Sequence, residues 1–250
     1  MALFAGAGGG ILGGHLLCWR TVCAVERDAY AAQVLAQRQN DRILRPFPIW
    51  SDVCSFDGKP WRGIVDVVSG GFPCQDISAS GKGAGIGGEK SGRWRHMARI
   101  IGEVRPNIVL VENSPLLIRR GLAVVIGDLA EMGYDAQWCR ISALDAGAPH
   151  ERDRIWIVAK NMDNAISERC EPGRLYHRED DRNQPSTAGE HAIKNPIICT
   201  AAEYGHWPAE PRMGRVANGM AHRVDRIKAL GNGQVPRVAA AAFSLLRDKS

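Results

Sequence analysis

The sequence predicts an α/β protein with a doubly wound, mostly parallel sheet and a small insertion. Its 250 residues are enough for one sizeable domain with a core of its own. Val- and Ile-rich runs of strand length recur along the chain, and near-continuous apolar strands are typical of a sheet that is covered on both faces. Helix-like stretches separate these runs, and this alternation indicates parallel strands joined by crossover helices.

The predicted strands follow one another in a regular order. They are "TVCAVE" (21–26), "IVDVVS" (64–69), "NIVLVE" (107–112) and "RIWIVA" (154–159). In an open α/β sheet the ligand crevice lies beyond the carboxyl ends of the strands. Residues that follow these runs are therefore the first candidates for a functional site.

Two helices are predicted between these strands and one near the end of the chain. Residues 27–39 and 93–104 each place apolar residues on one helical face, and Pro106 ends the second helix. A third helix can begin at Pro236, because proline is well tolerated in a first helical turn. We expect these helices to pack on the sheet through Ala31, Val34, Leu35, Met97, Ile100, Ile101, Ala240, Phe243 and Leu246.

Residues 161–213 interrupt the pattern. They are rich in Asn, Asp, Glu, Arg and Pro, and their one apolar run is "IIC", which predicts an insertion with little core of its own. We therefore expect a main domain over residues 1–160, a small separate region over residues 161–213, and a C-terminal segment over residues 214–250 that returns to the main domain.

Composition and charge narrow the class of protein. No apolar stretch approaches the roughly 20 residues of a membrane span, and the start of the chain lacks the pattern of a secretory signal, so we expect a cytoplasmic protein. The seven cysteines form no CxxC pair and are odd in number, which argues against a disulfide framework and a structural zinc site. The net charge of +5, with a basic excess over residues 212–250, suits a polyanionic partner such as nucleic acid.

A glycine-rich loop opens the chain. In "LFAGAGGGILGG" (3–14), Gly8, Gly10 and Gly13 satisfy the GxGxxG pattern, and Glu26 falls at the end of the next predicted strand. Such glycines allow a tight turn and close approach of the backbone to a ligand, and the acidic residue can bind a ribose diol. The pattern favours a nucleoside-containing cofactor over a merely flexible turn, but it does not distinguish NAD from S-adenosylmethionine.

A cysteine follows the second predicted strand, in "SGGFPCQDI" (69–77). An isolated Cys is most often a buried small hydrophobic residue. Cys74, however, comes after the carboxyl end of one strand and Glu112 ends another, so both should face the same crevice as the glycine loop. The sequence therefore predicts a reactive thiol with a proton donor beside it.

Three further segments have two interpretations each. "SASGKGAGIGGEKSGRW" (78–94) is either a surface loop or a basic lid over the substrate. Arg152 and Arg154, two apart before the last strand, are either solvated or positioned to bind a base oxygen, a phosphate or the Glu112 carboxylate. "ALGNGQVP" (229–236) alone signifies only a turn before a helix.

Taken in chain order, five segments resemble the motifs of the DNA (cytosine-5) methyltransferases. "LFAGAGG" is similar to their first cofactor motif, "GGFPCQDIS" to their catalytic proline-cysteine motif and "VENS" to their Glu-Asn motif. "PHERDRI" is similar to their arginine motif and "LGNGQVP" to their closing motif. The resemblance covers about residues 1–160 and 214–250, and it is strongest to small phage-type or prophage-type members.

The resemblance implies a Rossmann-like S-adenosylmethionine-dependent methyltransferase fold, with residues 161–213 as a small target-recognition region. It implies S-adenosylmethionine as cofactor, S-adenosylhomocysteine as product and no metal. Glu26 would bind the ribose, Asp52 would lie near the adenine, and Asn232 would help to complete the site. The resemblance assigns to the cofactor Phe4, Ala5, Gly6, Gly8, Gly9, Glu26, Arg27, Asp52, Val53, Asn232 and Gly233.

The resemblance also assigns catalytic roles. Cys74 would attack carbon 6 of cytosine, Glu112 would hold or protonate ring nitrogen 3, and Arg154 would bind the base oxygen. Thiolate addition activates carbon 5 toward a methyl group, and the negative charge that builds up on the ring requires such a carboxylic acid and arginine. Pro73, Asn113 and Arg152, from the same motifs, complete the implied catalytic set.

The resemblance implies a monomeric enzyme with two partners. One is double-stranded DNA, from which the target base is flipped, and the other is a cognate restriction endonuclease. Other hypotheses stay open at this point. The same catalytic core could act on RNA, as one eukaryotic branch of the family does with transfer RNA. A catalytically idle DNA-binding protein is disfavoured because Cys74 and Glu112 are both present. A nicotinamide-dependent oxidoreductase would explain the glycine loop alone.

Overall fold

The computed structural model describes residues 1–73, 92–163 and 223–247. These residues form a seven-stranded sheet with the strand order β3-β2-β1-β4-β5-β7-β6. The first five strands pair in parallel, and β7 runs antiparallel to both of its neighbours. The strands are Ala2–Leu3 (β1), Ala24–Val25 (β2), Ile49–Trp50 (β3), Val67–Gly70 (β4), Ile108–Asn113 (β5), Tyr134–Ser142 (β6) and Asp153–Asn161 (β7).

Seven helices accompany the sheet in the described residues. They are Gly9–Leu16 (α1), Ala29–Asn40 (α2), Gly92–Val104 (α3), Leu117–Arg120 (α4), Leu122–Glu131 (α5), Arg223–Asn232 (α6) and Pro236–Arg247 (α7). Short 3-10 helices lie at Lys59–Trp61 and Leu144–Ala146. None of the described helices is both long enough and apolar enough to cross a membrane.

The helices cover the sheet on both faces. Apolar residues of α3, α4 and α5 pack with one face of β4, β5 and β7 in the main core cluster. On the opposite face, α7 packs with Leu110, Trp156 and Val158 of β5 and β7. Phe243 and Leu246 of α7 are buried there, which confirms the predicted docking of the last helix on the sheet.

The predicted fold class is confirmed, and the differences lie in individual elements. The strand predicted at 64–69 begins only at Val67 (β4). Ile64 is 62% exposed and lies in a turn before this strand. Strands β1, β3 and β6 and helices α4 and α5 were not predicted. Helix α6 extends through Asn232, where the sequence predicted only a turn.

The division into domains stays a prediction. Residues 164–222, which include most of the expected target-recognition region, lie outside the described residues. The first residue assigned to that region, Asn161, is the last residue of β7 and is buried.

An ion pair joins the two helices that border the glycine loop. Asp28 caps the N-terminus of α2, where its Oδ1 accepts a hydrogen bond from Ala31 N at 3.1 Å. The same carboxylate accepts a hydrogen bond from Lys228 Nζ of α6 at 2.5 Å. The pair ties α6, which carries the closing motif, to the N-terminus of α2.

Candidate active site

A crevice lies at the carboxyl ends of β1, β4 and β5. The order of strands reverses between β1 and β4, and such a switch point is where open α/β sheets bind ligands. A cavity of about 30 Å³ at this point is lined by residues that include Phe4, Ala5, Gly6, Gly71, Glu112, Asn232, Gly233 and Gln234. Phe4, directly after β1, has a φ of 52°, and such backbone conformations cluster at ligand sites.

Glu26 fixes the glycine loop at one end of the crevice. Its Oε2 accepts a hydrogen bond from Gly6 N at 2.6 Å, and its Oε1 accepts one from Asp28 N at 2.7 Å. Arg38 Nη1 donates to Ala7 O at 2.6 Å from the side of α2. The loop and the carboxylate thus hold each other, and each carboxylate oxygen keeps acceptor capacity for a hydroxyl group.

Glu26 and the glycine loop together fit a nucleoside-containing cofactor. A half-buried carboxylate beside a glycine loop can accept hydrogen bonds from a ribose diol, and the loop glycines allow close approach of the backbone. No group of His, Cys, Asp or Glu that could hold a metal ion occurs within residues 1–73, 92–163 and 223–247.

Asp52 lies beyond the end of β3. The backbone N–H of Cys54 donates to Asp52 Oδ1 at 3.0 Å and lowers the pKa of that carboxyl group. Val53, in contrast, is buried in the main core cluster, and Arg27 is exposed. Of these three predicted cofactor residues, Asp52 and Arg27 present polar side chains at the surface.

Cys54 is an exposed thiol next to this position. Its Sγ lies 3.4 Å from His96 Nε2. Desolvation and the neighbouring Asp52 raise the pKa of the Cys54 thiol, and desolvation and nearby arginines lower the pKa of His96. Both shifts favour the neutral thiol and the neutral imidazole, which is the opposite of the shifts that activate a cysteine nucleophile.

Glu112 lies on β5 at the other end of the crevice. Its Oε1 is 2.9 Å from Arg154 Nε of β7, and its side chain is only 10% exposed. Burial raises the pKa of Glu112, while Arg154, Arg152 and a hydrogen bond from Gln234 oppose that rise. A carboxyl group in this setting can hold a proton at a higher pH than an exposed one.

The two arginines of "PHERDRI" have different contacts. Arg154 reaches Glu112 and also donates from Nη1 to Asp153 O at 2.7 Å. Arg152 donates to Gly231 O at 2.8 Å and to Gly233 O at 2.7 Å. Arg152 therefore holds the α6–α7 loop against the crevice, and Arg154 faces the carboxyl group.

Asn113 connects β5 to the segment that carries the predicted nucleophile. Its side chain is buried, Nδ2 donates to Phe72 O at 3.0 Å, and Oδ1 accepts from Ser114 N at 2.8 Å. Phe72 immediately precedes Pro73, which is exposed. Cys74 and residues 78–91 of the predicted lid lie outside the described residues, so the position of the thiol stays a prediction. The last residues of the predicted lid, 92–94, belong to α3, and Trp94 is buried in the core.

Gln234 is a crevice residue that the sequence reasoning missed. A Cβ on Gly10 would overlap Gln234 Oε1, and a Cβ on Gly71 would lie 3.0 Å from Gln234 Nε2 and 2.5 Å from Glu112 Oε2. The amide therefore spans the crevice from the glycine loop to the Glu112 carboxyl. The signal in the sequence was a polar residue in a glycine-marked loop, but that pattern alone does not indicate a contact.

Known proteins resemble this chain in sequence. Residues 1–207 match the family model of the C-5 cytosine-specific DNA methylases. The type II methyltransferase M.Eco47II of Escherichia coli is 32% identical over 234 residues, which cover 83% of this chain and 53% of that protein. M.PspPI of a Psychrobacter species is 33% identical over 82% of this chain and 53% of that protein. The chain thus spans about half the length of these curated relatives.

A solved structure supports the fold. The methyltransferase EhMeth of Entamoeba histolytica matches with a TM-score of 0.54 over 64% of this chain and 51% of that protein. The sequence identity of 19% is low, so this likeness concerns the fold alone.

Proposed function

The chain belongs to the C-5 cytosine-specific DNA methylases, and from this premise we propose that it transfers a methyl group from S-adenosylmethionine to carbon 5 of cytosine in double-stranded DNA. The observation that carries the proposal is the buried Glu112–Arg154 pair beside the glycine loop. Glu112 near the carboxyl end of β5 and Arg154 at the amino end of the antiparallel strand β7 lie at the same edge of the sheet, and together they can bind the two polar edge atoms of a cytosine ring. The loop held by Glu26 suits the nucleoside part of the cofactor.

In the proposed mechanism, Cys74 adds as a thiolate to carbon 6 of the ring. Glu112 gives a proton to ring nitrogen 3 and Arg154 donates to the base oxygen, so the ring does not accumulate negative charge. S-adenosylmethionine, when bound, would supply the electrophilic methyl group for carbon 5, with S-adenosylhomocysteine as the leaving group. A base then removes the proton from carbon 5, the thiolate leaves carbon 6, and nitrogen 3 returns its proton to Glu112.

Asn113 and Arg152 support these groups without touching the base. Asn113 holds Phe72 O, two residues before the nucleophile, and Arg152 holds the carbonyl groups of the α6–α7 loop. At neutral pH only a few per cent of an ordinary thiol is ionised, so Cys74 requires local activation.

The substrate is a base flipped out of the duplex, since carbon 6 is not accessible inside it, and flipping costs a few kcal/mol. We assign residues 161–213 to target recognition and the part of the basic segment that precedes α3, residues 78–91, to a lid that offsets this cost. We further propose that the protein is a monomer in the cytoplasm and that it has a cognate restriction endonuclease as its genetic partner. Type II methyltransferases among the relatives favour that partner.

The test is covalent trapping on DNA that contains 5-fluorocytosine. Elimination normally removes the hydrogen at carbon 5 as a proton, and fluorine in its place cannot leave as a cation. The reaction should therefore stop at the covalent adduct between protein and DNA. After incubation with S-adenosylmethionine, mass spectrometry should find this adduct on Cys74. Cys74→Ala should form none, whereas Cys18→Ala, which removes an exposed thiol at the end of α1, should form it at the normal rate.

The same incubation distinguishes DNA from RNA as substrate. With labelled S-adenosylmethionine, the label should enter double-stranded DNA and not transfer RNA. Incorporation into RNA alone would contradict the proposed substrate but not the catalytic residues. An adduct that survives Cys74→Ala would overturn the mechanism.

A further inference from the structure

Gln234 fills the space between the two ends of the crevice. The described cavity is about 30 Å³, whereas small-molecule sites usually measure about 300–1,000 Å³. The amide of Gln234 lies against Gly10 on one side and against Gly71 on the other. A cofactor that extends from Glu26 toward Glu112 must therefore displace this side chain.

The same side chain is bonded to the proposed proton donor. Gln234 hydrogen-bonds to Glu112, and the charged groups that face Glu112 in the described part of the chain are Arg152 and Arg154. A hydrogen bond from an amide N–H stabilises the ionised carboxylate. Its loss leaves a buried carboxylate with one donor fewer, which favours the protonated form.

We propose that Gln234 is a positioning residue that couples cofactor binding to the protonation of Glu112. The cofactor displaces the Gln234 amide, and the Glu112 carboxylate, which loses this donor, takes up a proton from solvent. This inference rests on the proposed function, which supplies both the cofactor and the role of Glu112. Its consequence is that Glu112, the acid for ring nitrogen 3, holds its proton more firmly when a methyl donor is bound.

The coupling also explains why three glycines surround one glutamine. Side chains at Gly9, Gly10 or Gly71 would overlap the backbone or amide of Gln234 or the Glu112 carboxylate. The amide can therefore sit in the crevice in the bonded position and still have room to leave it. Arg152 holds Gly231 O and Gly233 O, so the loop stays in place while the side chain moves.

Calorimetric titration with S-adenosylhomocysteine tests the coupling without any catalytic turnover. Binding heats measured in two buffers of different ionisation enthalpy, between about pH 5 and pH 8, give the number of protons taken up. The wild-type protein should take up protons on binding, and its affinity should rise as the pH falls. Glu112→Gln, which has no titrating group at this position, should take up none.

Gln234→Met is the matched variant, because it keeps the length of the side chain but removes the donor. It should bind with proton uptake reduced to near zero, and circular dichroism should show that it is folded.

A merely structural role of Gln234 would change the affinity and leave the proton count as in wild type, and that result would overturn the inference. Binding without proton uptake in the wild-type protein would also overturn it. If no binding heat appears and dialysis with labelled cofactor shows no binding, the proposed function itself fails.

Discussion

The two ends of the crevice are held in different ways. At the end that we propose for the cofactor, here called the cofactor end, Glu26 accepts two main-chain hydrogen bonds and Arg38 donates to a third main-chain group, so several contacts together fix the loop. At the end that we propose for the base, here called the base end, one buried carboxyl group depends on one arginine, with Gln234 as a further donor. The cofactor end should therefore tolerate the loss of a single contact better than the base end, and substitutions at four positions test this difference.

The largest effect is expected at Glu112. Glu112→Gln cannot protonate ring nitrogen 3, and we expect kcat to fall by about 10²- to 10³-fold, as when one stabilising donor is removed from a catalytic site. Glu112→Ala should also lower the free energy of unfolding by about 2–3 kcal/mol, less than for a fully buried pair, because Arg154 keeps 26% exposure. Methyl-transfer kinetics measure the effect on kcat, and urea unfolding measures the effect on stability. A normal kcat in Glu112→Gln would refute the proposed role of Glu112 as proton donor to ring nitrogen 3.

A smaller effect is expected for Glu26 at the cofactor end. Glu26→Ala removes an acceptor for the ribose and for two main-chain N–H groups, so the Kd for S-adenosylhomocysteine should rise by about tenfold to hundredfold. We expect kcat at saturating cofactor to change little. Glu26→Gln keeps one carbonyl acceptor and should give an intermediate Kd in calorimetry. If Glu26→Ala abolished kcat while Kd stayed normal, the proposed division between the ends would be wrong.

A third prediction concerns Asn113, which links the base end to the segment of the nucleophile. Asn113→Ala leaves Phe72 O and Ser114 N without their partner, and we expect a loss of about 1–3 kcal/mol in unfolding free energy. Adduct formation on 5-fluorocytosine DNA should become slower because the segment before Cys74 is held less firmly. Asn113→Asp keeps the acceptor for Ser114 but not the donor for Phe72, so it should slow the adduct as well. An unchanged adduct rate in both variants would argue against the link.

The smallest effect is expected at the ion pair between α2 and α6. Lys228 is 60% exposed, so Lys228→Met should change the free energy of unfolding little, while Asp28→Ala should lower it by about 1 kcal/mol through loss of the helix cap. The hydrogen bond from Lys228 lowers the pKa of Asp28. Its stabilisation is therefore present above the ordinary carboxyl pKa and is lost as the pH falls through the lowered one. Thermal unfolding at several pH values should show a weaker acid dependence in Lys228→Met.

The sequence predicted the long strands that are buried on both faces better than the very short strands and the half-exposed edge strand β6. The runs that contain β5 and β7 are apolar at nearly every position because both faces of these strands are buried. Strand β6 is an edge strand with exposed residues such as Asp135, Trp138 and Arg140, so it lacks a continuous apolar run. Strands β1 and β3 are only two residues long, too short for any periodic pattern.

Some residues of the candidate site could be predicted from the sequence, and others could not. Glu26 and Glu112 could be predicted, because each follows an apolar run at the carboxyl edge of the sheet. Gln234 could not, since its contacts depend on the approach of Gly10, Gly71 and Glu112, which are distant in the sequence. The exposed thiols of Cys18 and Cys54 also differ from the expectation that an isolated cysteine is most often buried.

The antiparallel strand β7 has a consequence for how the protein reaches its native state. Glu112 of β5 lies opposite Trp156 of β7, and Arg154, two residues before Trp156, therefore points from the same face toward the carboxyl group. A slip of one residue in the pairing would turn Arg154 to the other face and leave Glu112 buried without its cation. The pair that we propose for catalysis thus also disfavours misaligned pairing of β5 and β7, because a buried carboxylate without its cation is costly.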